Sequence, residues 1–491
     1  MSTIGNPNAE SLENRVRSAV FWRSGSQIIS QAIAWTATII VVRLLDPHDY
    51  GLFAMSQVVL VALNFLNGQS FASSLIQQDE VDRRRIAQVF GMLLLFNVIL
   101  ATAQFTLAPL VADYFRQPVV ADMLRAQTLI YLITPFIALP NVLLARTLNF
   151  RAQAKADFSG ALAGATAALT GASLGYGVWT LVTAPIIQIA VRAIALAVAG
   201  GRLPLPSFDF RGIGKIMAFG SALILCQFFW VIQSQSDIFI AGRTFDPHHL
   251  GLYSEALFLT LIFSAKFIPP LNEVAFPAYT HLVRQGGDLG AAFLRAARML
   301  MFVALPLYFG ISVTAQPLVD TLMGPKWHEM VPLVVGLPLA MPFFALQIIC
   351  SPTTNALGRP QIYVRTSLAG AIIMPVSFLI GSRWGAQGLV HAWQVAAPLL
   401  LIVTLSQTLP IIGVRARDLL GAIAPSALAA LAMAVAVHLA SPHVAHLPPP
   451  AHLAILVALG ATVYFALLWR FARPMLHELV TFVTRKQLAI D

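Results

Sequence analysis

The sequence predicts an all-α polytopic membrane protein with about fourteen transmembrane helices. Of its 491 residues, 58% are hydrophobic and 11% are charged, and the mean hydropathy is +0.76. Apolar runs of about 20 residues, each long enough to cross the roughly 30 Å hydrocarbon core of a bilayer, recur along the whole chain. The polar stretches between these runs are short. Nearly all of the mass is therefore expected to lie in the bilayer.

The basic residues predict which side of the membrane each loop faces. The apolar runs begin near Ser18, Gly51, Ala87, Val119, Ala154, Val178, Ile213, Leu250, Leu289, Glu329, Ile362, Ala386, Ala416 and Ala451. With this division, 23 of the 31 Lys and Arg residues fall on the side that holds both termini, five on the other side and three within spans. Short cytoplasmic loops are enriched in Lys and Arg, so both termini are predicted to be cytoplasmic. This bias and attraction to anionic membrane lipid explain the net charge of +10, and nucleic-acid binding is not expected.

An eleven-residue phrase occurs twice in the chain. RLLDPHDYGLF begins at Arg43 and RTFDPHHLGLY begins at Arg243, with six identities at an offset of 200 residues. In each copy an Asp stands at the N-cap position, and the Pro after it suits the first helical position, where no N–H is needed. The phrase therefore predicts that helices begin at Pro47 and Pro247. The glycine in each copy predicts close helix packing in the membrane.

The repeated phrase indicates two parallel halves. A weaker echo supports this, because LGYGVWTLV near Gly175 is similar to RWGAQGLV near Arg383. Two six-helix lobes in a V shape are expected to enclose a central cavity, with two C-terminal helices outside them. The predicted segments are a cytoplasmic N-terminal segment at 1–17, an N-lobe of spans 1–6 at 18–200, a cytoplasmic linker at 201–214, a C-lobe of spans 7–12 at 215–412, spans 13 and 14 at 413–473, and a cytoplasmic tail at 474–491.

Several loops carry a resemblance to a known family. In the second half they read QSQSDIFIAGRTFDPHHLGLYSEAL, GPKWHEMVPLVVG and NALGRPQIYVR, and in the first half VVRLLDPHDYGLF, ARTLNFR and GYGVWTLV. These segments resemble the polysaccharide-transporter branch, the Wzx-type lipid-linked oligosaccharide flippases, of the multidrug/oligosaccharidyl-lipid/polysaccharide exporter superfamily. The resemblance implies a protein that flips undecaprenyl-diphosphate-linked oligosaccharide repeat units across the bacterial inner membrane, for O-antigen, capsule or exopolysaccharide biosynthesis. It implies as further partners a polysaccharide polymerase and export machinery.

Polar side chains inside the spans are the candidate substrate contacts, because each costs at least a few kcal/mol in a bilayer unless it is paired or hydrated. Arg23, Gln27 and Gln31 lie on one face of the first span. Lys266 lies near the middle of the eighth span, and Arg192 lies about two turns from the cytoplasmic end of the sixth. For Arg192, snorkelling to the headgroups is the alternative. We expect Lys266 and Arg23 to bind the diphosphate and the amides to contact sugar hydroxyls.

Three acidic residues are predicted to bind a coupling proton or cation: Asp237, Glu255 and Glu273. Glu255 and Glu273 are spaced to share a helix face with Lys266, which favours the lining of a hydrated cavity. The alternative for this face is a buried structural ion pair. For Asp237 the alternative is a local pair with Arg243.

Other function classes receive less support from the sequence. The segment Gly212–Lys215 lacks the spacing of a phosphate-binding loop, and Asp46 is explained by its helix start, so no cofactor, metal site or catalytic residue is predicted. Asp157, with Lys155, is interpreted as a helix-start charge pair without a functional role. Two alternatives are an ion-coupled exporter of small amphipathic drugs, which would have an apolar, acidic cavity, and a membrane polysaccharide polymerase or ligase, which would have a large outer loop.

Overall fold

The described part of the chain is entirely helical. The computed structural model describes the backbone of residues 7–64, 82–147, 149–201, 204–209 and 214–473, and the side chains of residues 25–64, 82–147, 149–201, 204–209 and 228–473. Helices account for 89% of the structure, and the described residues form no strand. This confirms the predicted all-α class. The predictions for the tail 474–491, for the side chain of Arg23 and for much of the linker 201–214 concern residues outside the described ones.

The α-helices, long and short, follow the predicted apolar runs. They are α1 (Pro7–Leu44), α2 (Pro47–Asn64), α3 (Arg83–Phe115), α4 (Val119–Ile133), α5 (Pro135–Arg146), α6 (Phe150–Ser173), α7 (Val178–Gly200), α8 (Gly214–Thr244), α9 (Pro247–Arg284), α10 (Leu289–Val313), α11 (Ala315–Leu322), α12 (Val331–Gly336), α13 (Met341–Ile348), α14 (Cys350–Ala356), α15 (Pro360–Gly381), α16 (Gly385–Thr408), α17 (Ala416–Val444) and α18 (Pro449–Phe471). Short 3₁₀ turns lie at Pro325–Met330, Leu337–Ala340 and Ser382–Trp384.

Ten stretches of the described residues are long and apolar enough to cross a membrane. Three of them contain more than one helix: Val119–Arg146 contains α4 and α5, Pro325–Ala356 contains α12 to α14, and Pro360–Thr408 contains α15 and α16. Large apolar side chains cover their outer surfaces: Val198 is 81% exposed and Leu420 and Leu428 are each 68% exposed. Such a surface is compatible with lipid and not with water. The protein is therefore a multi-pass membrane protein, while the count of fourteen spans stays a prediction.

Prolines interrupt two of the predicted spans. The fourth is divided at Thr134, where α4 ends and α5 begins with Pro135. The tenth, expected as one helix from near Glu329, is a chain of short helices and 3₁₀ turns between Pro325 and Ala356. Each proline lacks the N–H that would continue the backbone hydrogen-bond pattern, and the ring crowds the preceding turn. Ser312 Oγ donates to the Val335 carbonyl at 2.7 Å and so ties α10 to this broken segment.

The chain divides into two compact units, Met1–Val231 with Asp246–Gly251, and Ile232–Phe245 with Leu252–Asp491. In the first unit, α6 packs along both α1 and α7, and α3 packs on α4. Apolar side chains of α3 and α5 form one of its cores: Val89, Phe90, Leu93, Leu139 and Val142. In the second unit, α10 packs on α17, α15 on α16 and α17 on α18. These pairings place polar residues of neighbouring helices side by side.

The segment 204–209, within the predicted linker, runs along the start of α3 in the first unit. Ser207 N donates to the Ala87 carbonyl at 2.9 Å, and Gln88 Nε2 donates to the Asp209 carbonyl at 2.8 Å. Arg84 forms an ion pair with Asp209 at 2.8 Å. The linker is therefore fixed to a helix of the first half over these residues.

The repeated phrase begins a helix in both copies, as predicted, because α2 begins at Pro47 and α9 at Pro247. In the second copy, Asp246 Oδ1 accepts a hydrogen bond from His249 N at 3.0 Å, which is an N-cap bond. Partial burial raises the pKa of the Asp246 carboxyl, but the hydrogen bonds from the backbone and ring of His249 outweigh it, so the pKa is lowered. The cap is therefore charged at neutral pH.

The glycines of the two phrases meet, and their contact is reciprocal. A Cβ added to Gly51 would overlap the Pro247 carbonyl, and a Cβ added to Gly251 would overlap the Pro47 carbonyl. Each would also lie 3.0 Å from the backbone N of the other glycine. The predicted close helix packing at Gly51 and Gly251 is confirmed, and it lies within the first unit.

Candidate functional site

A polar cavity of about 520 Å³ lies in the first unit between α1, α5, α6 and α7. Its walls combine amides, hydroxyls and one pair of opposite charges inside a protein whose other surfaces are mainly apolar. The polar lining residues are Ser26, Gln27, Ser30, Gln31, Asn141, Gln153, Asp157, Gln188 and Arg192. We call this space the polar cavity. It brings together Gln27, Gln31 and Arg192, three of the five residues predicted to contact substrate.

Helical spacing explains why these side chains share one space. Gln27 and Gln31 on α1 are four residues apart, as are Gln188 and Arg192 on α7, and residues at that separation lie on one helix face. On α6, Asp157 follows Gln153 at the same separation. Three helices therefore each present a polar face to the cavity.

Small residues on α6 let α7 approach closely enough to form the cavity wall. A Cβ on Gly160 would lie 2.9 Å from the Gln188 carbonyl oxygen and 3.0 Å from Cβ of Arg192. A Cβ on Gly164 would lie 2.7 Å from Cβ of Gln188. Glycines four residues apart are a common means of close helix packing in membranes. The positions of Gln188 and Arg192 therefore depend on these glycines.

Arg192 forms an ion pair with Asp157 across α6 and α7. Arg192 Nε lies 2.7 Å from Asp157 Oδ1, and the two side chains are 35% and 41% exposed. Asp157 was expected to form a helix-start charge pair with Lys155, whereas its carboxylate pairs with Arg192 and lines the cavity. The two charges neutralise each other locally.

The amides of the cavity differ in how firmly they are held. Gln153 is buried, and its Nε2 donates to the Asn141 carbonyl at 2.7 Å, which joins α6 to α5. Gln27 and Gln188 are exposed to the cavity, and Gln31 is partly exposed. Ser30 Oγ is buried and has no hydrogen-bond partner among the described residues. The cavity therefore contains both fixed and adjustable hydrogen-bonding groups.

A second polar feature, which we call the Asp237 network, lies in the second unit. Asp237 is fully buried and accepts hydrogen bonds from Tyr253 OH at 2.9 Å, Trp393 Nε1 at 3.3 Å and Ile238 N at 2.8 Å. Trp393 Nε1 also lies 2.9 Å from Tyr253 OH. The network joins α8, α9 and α16, and the Trp393 ring packs against Phe378 with 5.4 Å between centroids. Asp237 therefore accepts hydrogen bonds from three donors.

The remaining predicted site residues lie on α9, apart from Arg23. Glu255 is partly exposed, and Lys266 and Glu273 are exposed. Helix α9 continues from Pro247 to Arg284 although it contains Pro269 and Pro270. Among the described residues no group of His, Cys, Asp or Glu is arranged to hold a metal ion.

The family model described as polysaccharide biosynthesis protein matches residues 40–332, more than half of the chain. The chain belongs to this family. The match agrees with the predicted polysaccharide-transporter branch of the multidrug/oligosaccharidyl-lipid/polysaccharide exporter superfamily, whose members among its relatives are transporters and not enzymes. The predicted family is therefore confirmed.

Curated relatives of this family member are named for polysaccharide biosynthesis. Lipopolysaccharide biosynthesis protein WzxC of Escherichia coli (strain K12) is 21% identical over 388 residues, which cover 75% of this chain and 79% of that protein. Succinoglycan biosynthesis transport protein ExoT of Rhizobium meliloti (strain 1021) is 23% identical over 330 residues, which cover 67% of this chain and 66% of that protein. The shared regions span most of this family member.

Two solved structures share its fold. The lipid II flippase MurJ in an inward closed conformation aligns with a TM-score of 0.75 at 12% identity, over 92% of this chain and 99% of that one. An inward-facing multidrug resistance MATE family transporter aligns with a TM-score of 0.59 at 15% identity, over 78% of this chain and 94% of that one. At these identities the likeness establishes the fold alone.

Sequence reasoning missed several residues of both sites in this family member. Asn141, Gln153 and Gln188 in the polar cavity are amides within or beside apolar runs. The free-energy cost of a polar side chain in a bilayer, which identified Gln27, could also have identified them. Tyr253 and Trp393 of the Asp237 network carried no comparable signal, because buried aromatic residues are common in membrane helices. Their role depends on a contact between residues 140 positions apart.

Proposed function

We propose that this family member translocates undecaprenyl-diphosphate-linked oligosaccharide repeat units across the bacterial inner membrane by alternating access. The product would supply O-antigen, capsule or exopolysaccharide biosynthesis. The observation that carries the proposal is the polar cavity, whose amides and hydroxyls suit a hydrophilic cargo. A cavity for small amphipathic drugs would instead be lined mainly by apolar side chains.

The predicted topology adds a direction to this proposal. Fourteen spans with both termini cytoplasmic place Arg146 and Arg151, which flank the junction of α5 and α6, on the cytoplasmic side. The polar cavity lies near this junction, since Asn141, Gln153 and Asp157 line it. Substrate assembled in the cytoplasm would therefore enter from the side on which the cavity lies.

The charged candidates have separate roles in the proposal. Lys266 and Arg23 contact the diphosphate, because a fixed cation binds an anionic group more strongly where water is partly excluded. Asp237, Glu255 and Glu273 take part in coupling to a proton or cation gradient. A polysaccharide polymerase and export machinery would receive the translocated product.

Reconstitution of the full chain into proteoliposomes tests the proposed function. Lipid-linked oligosaccharide extracted from the host would be incorporated, and its exposure to a membrane-impermeant glycan-oxidising reagent would be followed with time. We expect protein-dependent movement of the labelled lipid between leaflets. Equal movement in protein-free liposomes, or protein-dependent movement only of cationic drugs, would contradict the proposal and the second outcome would favour the drug-exporter alternative.

A further inference from the structure

We infer that the polar cavity of the first unit is a subsite for the uncharged, polyhydroxyl part of the cargo, a glycan residue, and not a site for its phosphates or for a coupling cation. The inference rests on the proposed function and adds to it a place for one chemical part of the substrate. It is carried by the charge balance, the donor set and the size of the cavity.

The charge balance argues against an ionic ligand. Among the described lining residues the charged ones are Asp157 and Arg192, and they lie 2.7 Å apart. A phosphate entering the cavity would meet a guanidinium already engaged by a carboxylate, and a metal cation would meet a carboxylate already engaged by a guanidinium. Separating the pair would leave one charge without its partner in a partly buried place, which is costly. The described lining residues of the cavity therefore offer no net charge to bind an ion.

The donor set favours hydroxyl groups. The amide of each glutamine has two N–H donors and a carbonyl acceptor, and a sugar hydroxyl likewise donates and accepts. Gln27, Gln31 and Gln188 stand on two helices with their side chains open to the cavity. Ser30 Oγ adds a buried hydroxyl that has no partner among the described residues. A ring carrying several hydroxyls can engage these groups from different sides, which a small apolar molecule cannot.

The size of the cavity and the way its wall is held fit this ligand. Its volume of about 520 Å³ falls within the range of roughly 300–1,000 Å³ found for small-ligand sites. Gln153 is fixed by its bond to the Asn141 carbonyl, and α7 is held against α6 at Gly160 and Gly164. The wall is therefore formed in advance, while the exposed amides can adjust to the ligand.

Binding measurements on the purified full chain in nanodiscs test the inference. The probes are undecaprenyl diphosphate without sugar and the lipid-linked oligosaccharide extracted from the host, and the variants are Gln31→Met and Gln188→Met, which keep side-chain length and remove the amide. We expect each variant to bind the lipid-linked oligosaccharide about five- to tenfold more weakly, as the loss of one or two hydrogen bonds predicts. Binding of undecaprenyl diphosphate should change by less than about twofold. Gln117→Met, outside the cavity lining, is the matched control and should leave both affinities unchanged.

Two results would overturn the inference, and they differ from failure of the proposed function. If both variants bind the lipid-linked oligosaccharide as the wild type does, or lose affinity equally for both probes, the cavity does not hold the glycan, although the wild type still transports it. If the wild type neither binds nor moves the lipid-linked oligosaccharide, the proposed function fails and the inference fails with it.

Discussion

Asp157 and Arg192 are 35 residues apart in the sequence and 2.7 Å apart in the structure. The sequence indicated that Arg192 lies within a span, but its partner depends on how α6 and α7 pack at Gly160. A similar contact at long range gives Asp237 its donors Tyr253 and Trp393. At the scale of single residues, position in a span was predictable and partnership was not.

The ion pair of the polar cavity can be tested with single and double substitutions. Removing both charges should lower the transport rate less than removing one of them. Arg192→Gln removes the guanidinium that lies 2.7 Å from the Asp157 carboxylate, so it should lower the transport rate by roughly two- to fivefold. Asp157→Asn should do the same. The double variant should recover part of the loss, because no charge is left unpaired. Initial rates in proteoliposomes provide the measurement, and additive losses in the double variant would show that each residue acts independently.

The Asp237 network gives a second prediction at this scale. Asp237→Asn replaces one acceptor oxygen by an NH₂ group that faces the O–H of Tyr253 or the N–H of Trp393, so a buried donor loses its acceptor. We expect a loss of about 1–3 kcal/mol in the free energy of unfolding and a lower transport rate. Thermal unfolding of the purified protein, followed by tryptophan fluorescence, provides the measurement. Asp113→Asn, at an exposed position on α3, is the control and should unfold with the wild type. Equal stability of the two variants would contradict a structural role for the network.

At the scale of helices, the sequence predicted those features that depend on residues close together in the chain. The Asp-Pro pair indicated where α2 and α9 begin, and the glycines four residues later indicated close packing. The tenth span was predicted as one helix, although prolines divide the segment between Pro325 and Ala356. Whether proline bends a helix or ends it depends on partners for the released carbonyls. Here Ser312 and Gln394 donate to the Val335 and Gly336 carbonyls, and these are contacts from distant helices.

Glycine-to-alanine substitution should lower the free energy of unfolding at the glycine contact of the repeated phrases and raise it at a helix position with open space. Gly51→Ala and Gly251→Ala each place a methyl group against a backbone carbonyl, so each should lower the free energy of unfolding by about 1–3 kcal/mol. Gly421→Ala, on α17 with open space around its Cβ, should raise it by about 0.5–1 kcal/mol, because alanine loses less conformational entropy in a helix.

Thermal unfolding of the three single variants and of the Gly51→Ala/Gly251→Ala double variant measures these effects. Both glycines belong to one contact, so the double variant should lose less than the two single losses combined. A stabilising effect of Gly51→Ala would show that α2 and the first turn of α9 can separate without cost.

At the scale of the whole molecule, composition and charge bias were sufficient to predict a multi-pass all-α membrane protein, and the loop segments indicated its family. The hydropathy of the spans reports the lipid that surrounds them, and this requires no knowledge of packing. The polar cavity could be predicted in part, since Gln27, Gln31 and Arg192 were selected as intramembrane polar residues. The other residues of the cavity could be identified only from the way in which α1, α5, α6 and α7 pack together. Transport itself is a property of the whole chain and is tested with variants that leave the fold intact.

Lys266 provides the prediction at this scale. It is exposed on α9, near the middle of a 38-residue helix, so neither membrane surface is within easy reach of its ammonium group. If this charge holds the diphosphate during translocation, Lys266→Ala should lower polysaccharide export at least tenfold in a strain that lacks other flippases. Lys266→Arg should retain part of the activity, because the positive charge is kept. Immunoblots of the membrane fraction would show whether insertion is normal.

Arg116 is the matched control for Lys266, because it also carries one exposed positive charge but lies in a loop. It caps the end of α3 with a left-handed backbone, φ 56°, through its own N–H. Alanine keeps both the Cβ and that N–H, so Arg116→Ala should fold and export polymer at close to the wild-type rate. The three variants together separate a charge requirement at one place from a general requirement for basic residues. Export at the wild-type rate by Lys266→Ala, with normal insertion, would remove Lys266 from the substrate path, and equal losses in Lys266→Ala and Arg116→Ala would indicate that the effect comes from net charge.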